Sequence, residues 1–483
     1  MSVLWAASAH AEPATPSPET SPETFAYTTP TEKNYLRAVL ELEALTTVSV
    51  VWYVIDVRQG GDVGYRWQTF ERKLSGAAIG HDDNGFGTNF RGHGLGGNAY
   101  YLSARGNHLG IGESLGFAVA GALLWEYFGE ISEVVSANDL IVTPFSGIGI
   151  GEPLTQFSAF FDRQSPTLLN RVLGSAFGPL KSINDALDGA TLSRASTERD
   201  EWHEFRVAGS YALTREQPGE PGHASQLHNE ARIVLSERLA RLRDYDGATN
   251  RSEWFDDANL SDLSLRGALG PHRATDFAFA ADFVPFGYFQ RSARQGRDGL
   301  HGGGFVVGFE MGYRYLVHDF GGGPQSTLDR AAFVQPVGAM FEYRGAFGPV
   351  SITSKVDAAA TYGGVHPIAS DAFGSRATLA PVLRHFDYYF GAGAQLEASL
   401  TLQVAGIEAD GSLLGRAFSC VDEHVHLPIR DAWQRFGFGL GYRVRPAWTL
   451  RFFSDDTVRT GRLGEVRASL HESSAGLEAR ANF

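Results

Sequence analysis

The chain reads as a two-part α+β protein, a helical N-terminal region followed by an antiparallel transmembrane β-barrel. Three observations predict this. At the C-terminus Ala475, Leu477, Ala479, Ala481 and Phe483 are apolar, and Gly476, Glu478, Arg480 and Asn482 stand between them. This is the period-two pattern of a strand with one oily and one polar face. The same alternation recurs through the C-terminal half, whereas before residue 195 the apolar residues return at helical spacing. Finally, 57 Gly with 33 Phe, 17 Tyr and 8 Trp suits a curved wall that bends at glycines and sets rings at the membrane–water boundaries.

From the N-terminus, residues 1–11 end in Ala9-His10-Ala11, the small-x-small pattern of a signal-peptide cleavage site. The basic leader is missing, so a partial signal peptide with its true start upstream of Met1 is expected. Residues 12–30, rich in Pro, Thr, Ser and Glu, read as a disordered linker. Residues 31–195 form the helical domain, with helices expected over Tyr35–Asp56, Ser114–Glu133, Glu152–Phe161 and Pro166–Leu187. Their uncharged runs fall short of the roughly 18 to 20 residues a spanning helix requires. They are therefore expected to be buried helices of a compact periplasmic domain.

Residues 196–483 form the barrel. Phe305, Val307, Phe309, Met311, Tyr313 and Tyr315 alternate with Gly308, Glu310, Gly312 and Arg314, and comparable runs cover 388–404 and 436–445. Further strands are expected at 202–214, 226–236, 258–268, 274–285, 333–345, 348–362, 405–418, 447–454 and 463–472. Several of these exceed the usual strand length, and their polar faces carry charges and glycines rather than the Thr and Lys of a solvated sandwich. With an even number preferred, about 12 strands are expected.

A formal charge of -14 argues against nucleic acid, because phosphate binding needs an excess of Lys and Arg. The only cysteine, Cys420, excludes an internal disulfide and a multi-thiolate metal site. Within the polar-rich stretch 84–189 no His-Glu-x-x-His or Glu-x-x-His spacing is present, so no metal and no cofactor are expected.

Between residues 84 and 189 the polar residues cluster in short motifs: Asn89-x-x-x-His93, Asn98-Ala-Tyr100-Tyr101, Ala104-Arg105, Trp125-Glu-Tyr127 with Glu130, Ser136-Ala-Asn-Asp-Leu140, Thr143-Pro144 and Gly151-Glu152. Over about residues 33–190 this set resembles the family catalogued as domain of unknown function 3943, found in secreted or outer-membrane proteins of Gram-negative bacteria. Gly94 stands where that family has Pro. The resemblance implies no activity.

Glu126 and Glu130 are four apart on an otherwise apolar helix, where carboxylates are costly unless paired. Arg105, His93 and Asn138 are the partners the sequence offers. Two readings follow. The cluster is a satisfied polar network that fixes the packing and caps the helix after Asp139. Alternatively, His93, Arg105, Glu126, Glu130 and Asp139 form a catalytic site, with Asn89, Asn98, Tyr100, Asn138 and Glu152 as ligand-binding residues. Ser114 lies in a G-x-S-x-G match, but no core strand precedes it, and it reads more simply as a helix N-cap. Gly92–Gly97 matches G-x-G-x-x-G without a βαβ unit. Gly147-Ile-Gly-Ile-Gly151 reads as a turn.

The expected role is an outer-membrane barrel acting in envelope organisation, or in binding or passage of a small or lipidic ligand. The alternatives are a membrane-anchored enzyme acting on lipid or peptidoglycan and a simple pore. The expected partners are outer-membrane lipid and the barrel assembly machinery, engaged through Phe483.

Overall fold

In the computed structural model, alternation becomes a wall. The structure describes residues 24–28, 32–60, 67–130, 133–195, 201–218, 225–271, 274–320, 327–370, 372–373, 379–445 and 447–483. The expected signal peptide over 1–11 and the linker up to residue 23 lie outside these. Thr24–Thr28, expected within the disordered linker, instead forms β1 and pairs antiparallel with β4 (Thr191–Ala195). Threonines with alternating Phe25 and Tyr27 suit a pleat better than their neighbours do.

The C-terminal half closes into an antiparallel barrel of 12 strands. In order these are β5 (Trp202–Pro218), β6 (Gln226–Ala240), β8 (Leu260–Leu269), β9 (Ala274–Gly296), β10 (Gly299–Phe320), β11 (Thr327–Phe347), β12 (Val350–Val365), β13 (Tyr389–Val404), β14 (Ile407–Cys420), β15 (Ile429–Arg445), β16 (Trp448–Leu463) and β17 (Val466–Asn482). Closure comes from β17 pairing with β5, Ala475 opposite Leu213 and Leu477 opposite Tyr211. β7 (Thr249–Phe255) pairs with the C-terminal part of β9 and continues the line of β8, so the two act as one interrupted strand. The segments expected at 463–472 and 475–483 are a single strand, β17.

One rim, the near rim, carries Phe483 and the tight turns at 296–299, 347–350 and 404–407. The far rim carries longer loops, including 366–388 with the short helix α8 (Pro381–Phe386). Outward-facing Tyr211, Ile233, Leu400, Phe438, Leu440, Phe452 and Leu477 are exposed and form an apolar belt in the near half. Towards the far rim the outward positions turn polar, with Arg430, Asp456, Arg462, Arg467 and His471. The inward positions carry charge. Arg314 binds Asp282 at 2.5 Å, Lys355 lies 3.3 Å from both Asp262 and Asp357, and Arg435 binds Asp455 at 2.9 Å.

The helices are α1 (Tyr35–Gly60), α2 (Trp67–Leu74), α3 (His93–Arg105), α4 (Ile111–Leu124), α5 (Asp139–Asp162), α6 (Leu168–Phe177) and α7 (Pro179–Leu187), with π-helical turns at Gly87–Gly92 and Trp125–Gly129. Two short strands, β2 (Ile79–Gly80) and β3 (Val135–Ser136), pair in parallel beside them. The helices lie against the outer wall of the barrel. α5 rests on the outward faces of β8 to β11. Its Ile150 packs with Tyr313 and Val334, and Phe157, Phe160 and Phe161 pack with Leu239, Leu263 and Ala281 near the near rim. Its 24 residues run about 36 Å at 1.5 Å per residue, the height of a bilayer's apolar core and more.

Three expectations change here. Gly147–Gly151 is not a turn but the middle of α5, which also contains Pro144 and Pro153. The glycines let backbones touch, since a Cβ on Gly147 would come 2.6 Å from the Gly97 carbonyl oxygen and one on Gly149 3.0 Å from the Gly312 backbone. Close packing outweighs the cost of about 1 kcal/mol that each interior glycine carries. The second concerns α1, which is not a buried helix. Leu36, Leu40, Val48, Val51, Trp52 and Ile55 are exposed, and Tyr35–Ile55 is 21 residues, long and apolar enough to cross a membrane, with 17% of that window buried. The segment expected as one helix over 166–187 is broken at Gly178-Pro179, where Pro starts α7 as a residue with no N–H to lose.

Candidate functional site

The polar motifs form three neighbourhoods rather than one cluster, two at the far-rim end of the helical layer and the third further along α5 towards the near rim. In the first, the π-helical turn Gly87–Gly92 carries Asn89 inward beneath the start of α3. Asn89 Nδ2 donates to Asp82 Oδ1 at 2.6 Å and to the Tyr388 hydroxyl at 2.9 Å. Asn138 Nδ2 donates to Asp139 Oδ1 at 3.0 Å and its Oδ1 accepts the Asp82 amide at 3.1 Å. His93 Nε2 lies 3.3 Å from Asp139 Oδ2. Burial lowers the His93 imidazole to about 4, which favours the neutral ring, and burial raises the Asp139 carboxyl well above its ordinary value.

The second neighbourhood holds Glu126 and Glu130, whose partners differ from those expected. Glu126 Oε2 accepts the Ser136 amide at 2.6 Å. Lys73, 1% exposed, donates to the backbone carbonyls of Glu126 at 2.6 Å and Glu130 at 2.5 Å. It thereby satisfies carbonyls orphaned where the π-helical turn ends. Burial pushes the Glu126 carboxyl up to about 7 and that of Glu130 to about 9.

Arg105 belongs to a third neighbourhood between α3 and α5. Its Nε lies 2.9 Å from Glu152 Oε2 and its Nη2 donates to Oε1 at 2.9 Å. The Tyr101 hydroxyl donates to Glu152 Oε2 at 2.6 Å, and Gln156 Nε2 donates to Glu152 Oε1 at 2.5 Å. Arg105 is thus separated from the carboxylates it was expected to pair.

The remaining candidates are packing residues in this geometry. The Tyr100 ring lies across Gly121 and holds α3 against α4, and Asn98 Oδ1 sits against Gly151. Ser114 is not an N-cap. Gly110 occupies that place, with its amide donating to Glu113 at 2.7 Å, and Ser114 is a fully buried residue inside α4 whose hydroxyl has no hydrogen-bond partner. Asn89, Glu126, Asn138, Asp139 and Glu152 are each at most 1% exposed, so they face sealed interfaces. Lys73, Asp82 and Tyr388 were missed. Asp82 lies beside the motifs, but Lys73 and Tyr388 come from distant stretches with no local signal.

No curated protein matches the chain. Solved structures with a similar fold are outer-membrane barrels. A loop L8 deletion mutant of OmpT from Vibrio cholerae is 9% identical with a TM-score of 0.21, covering 59% of this chain and 100% of its own. The NanC porin is 10% identical with a TM-score of 0.23, covering 56% and 98%. The translocator domain of the autotransporter NalP from Neisseria meningitidis is 11% identical with a TM-score of 0.22, covering 62% and 92%. Residues 78–180, which carry every member of the three neighbourhoods except Lys73 and Tyr388, match the family described as a domain of unknown function, DUF3943.

Proposed function

We propose that this is an outer-membrane protein whose barrel spans the bilayer and holds a helical layer beside it, acting in envelope organisation or in binding a small or lipidic ligand rather than in catalysis. The observation that carries this is the outward apolar belt in the near half of the barrel, the kind of surface that such proteins turn to lipid. Short turns on one rim and longer loops on the other would put the near rim, with Phe483, on the periplasmic side. A separate periplasmic helical domain fits this geometry poorly. α1 and α5 run beside the belt, and α1 turns apolar side chains outward as the belt does, so the layer is proposed to lie at bilayer depth with the first two polar neighbourhoods near the far rim.

Sealed polar groups and a partnerless Ser114 favour packing over chemistry. The enzyme reading keeps one observation in its favour, the His93–Asp139 pair beside a carboxyl with its pKa near 7. Envelope fractionation tests the main reading: the intact protein is expected in the outer-membrane fraction, and deletion of Phe483 is expected to lower the amount assembled there. Recovery of the intact chain from the soluble periplasm would sink it.

A further inference from the structure

The structure assigns a divalent transition-metal site, of zinc-type chemistry, to the seam where the helical layer meets the loop after β14. Its ligands are His81, Asp422 and Glu423, with the exposed His424 beside them swinging in as the fourth. One ligand atom each of His81, Asp422 and Glu423 lies within 4.8 Å of the others. His424 Nδ1 lies 3.2 Å from Asp422 Oδ1 and 3.8 Å from Glu423 Oε1, and its ring passes over Gly80, beside His81. The set is two imidazoles and two carboxylates from segments more than 300 residues apart in sequence. Nitrogen and oxygen donors of this kind suit Zn²⁺ in four-coordination.

Two features outside the ligand set point the same way. The Tyr362 hydroxyl lies 3.0 Å from His81 Nε2, and the Phe390 ring packs against the imidazole at 5.0 Å, tilted by 33°. Together they fix the ring and turn Nδ1 towards the carboxylates. An anchored second nitrogen is the usual outer partner of a metal-bound histidine. His81 Nδ1 and Glu423 Oε2 are 2.5 Å apart, a distance that a shared proton bridges. A bound cation replaces that proton, and the two atoms must then part to about 3.3 Å, the edge of a tetrahedron with bonds near 2.05 Å. Glu423 is half exposed, so it can move that far. Bound there, the metal would pin residues 79–82 of the helical layer to the barrel's far-rim loop.

The test is calorimetric titration of ZnCl₂ into the full-length protein in detergent after stripping with chelator. The expected result is one Zn²⁺ per chain. Tyr362→Phe should weaken binding by about 10- to 100-fold, as loss of an outer-shell partner does, and Glu423→Gln, His424→Ala and His81→Ala by at least as much. His471→Ala, which removes the imidazole of an exposed His–Asp pair elsewhere on the barrel, should leave binding unchanged. Because Glu423 and His424 are exposed side chains, their variants keep the test open should His81→Ala fail to fold. No one-to-one binding by the wild type, or wild-type affinity in both Glu423→Gln and His424→Ala, would overturn the assignment and leave His81–Glu423 as a simple ion pair.

Discussion

At the scale of single residues, Glu126 shows what burial does to an acid that was expected to have a cationic partner. Its carboxyl is fully buried, takes one hydrogen bond from the Ser136 amide and has its pKa pushed up to about 7 from 4.5. A raised acid pKa makes its contribution to stability full below about 4.5 and lost as pH rises through about 7, worth roughly 3 kcal/mol over that window. His93, lowered to about 4 from 6.5, works oppositely, since its contribution is present above 6.5 and lost as pH falls towards 4. The wild-type profile therefore mixes the two, and Glu126→Gln separates them because the amide keeps an acceptor for Ser136 but cannot titrate. Unfolding measured at pH 4.5 to 8 should show the Gln variant gaining on the wild type by about 3 kcal/mol as pH rises. An unchanged gap would mean that Glu126 does not titrate in this range. Should the variant melt like the wild type at every pH while an envelope phenotype disappears, the enzyme reading takes over.

At the scale of elements, the strands were legible because each strand's two faces meet different solvents. Gly439 and Phe438, or Thr401 and Leu400, are neighbours in sequence yet face lumen and belt, and the alternation that separates them is local. α5 was half legible: its end was expected as the helix over Glu152–Phe161, but the glycines before it spell a turn, and contact with Gly97 of α3 and Gly312 of β10 is what favours the helix there. The three neighbourhoods of the candidate site were half legible. The motifs pointed to buried residues, but spacing alone could not show that Arg105 pairs with Glu152 and that Lys73 caps the turn at Glu126. The register makes a direct prediction. Leu400→Arg, at an exposed belt position, should destabilise the folded protein by about 2 to 4 kcal/mol in lipid, as arginine near the midplane does. Thr401→Arg enters a lumen already lined by charge and should cost less. Equal losses in denaturant titrations of the two variants would remove the inside–outside assignment.

At the scale of the whole molecule, the barrel's interior decides whether it is a pore. The near end is narrowed by Tyr245, whose hydroxyl donates to Glu342 at 2.6 Å, and by Arg344, which lies 4.3 Å from the Trp202 ring and 4.7 Å from that of Tyr245. Near the far end Phe333 and Phe418 pack beside Trp433, and the buried Arg459 stacks 4.1 Å over Trp433 while bridging Asp329 and Asp431. Between them lies a cavity of about 600 Å³, lined by charges that pair along its wall, as Arg314 does with Asp282, and across it, as Lys355 does with Asp262. A water-filled pore needs a continuous path, and here inward side chains cross it at both ends. Sequence alternation predicted inward charge, but whether such charges line water or pair with one another depends on contacts such as Arg238 with Glu342, 104 residues apart. In planar lipid bilayers the purified chain should therefore show no steady open conductance. Arg459→Ala, which removes the side chain bridging two strands and capping Trp433, should introduce brief openings, with the near end limiting their size. A wild-type protein that conducts steadily, as an unobstructed barrel would, contradicts the closed lumen and restores passage as its role.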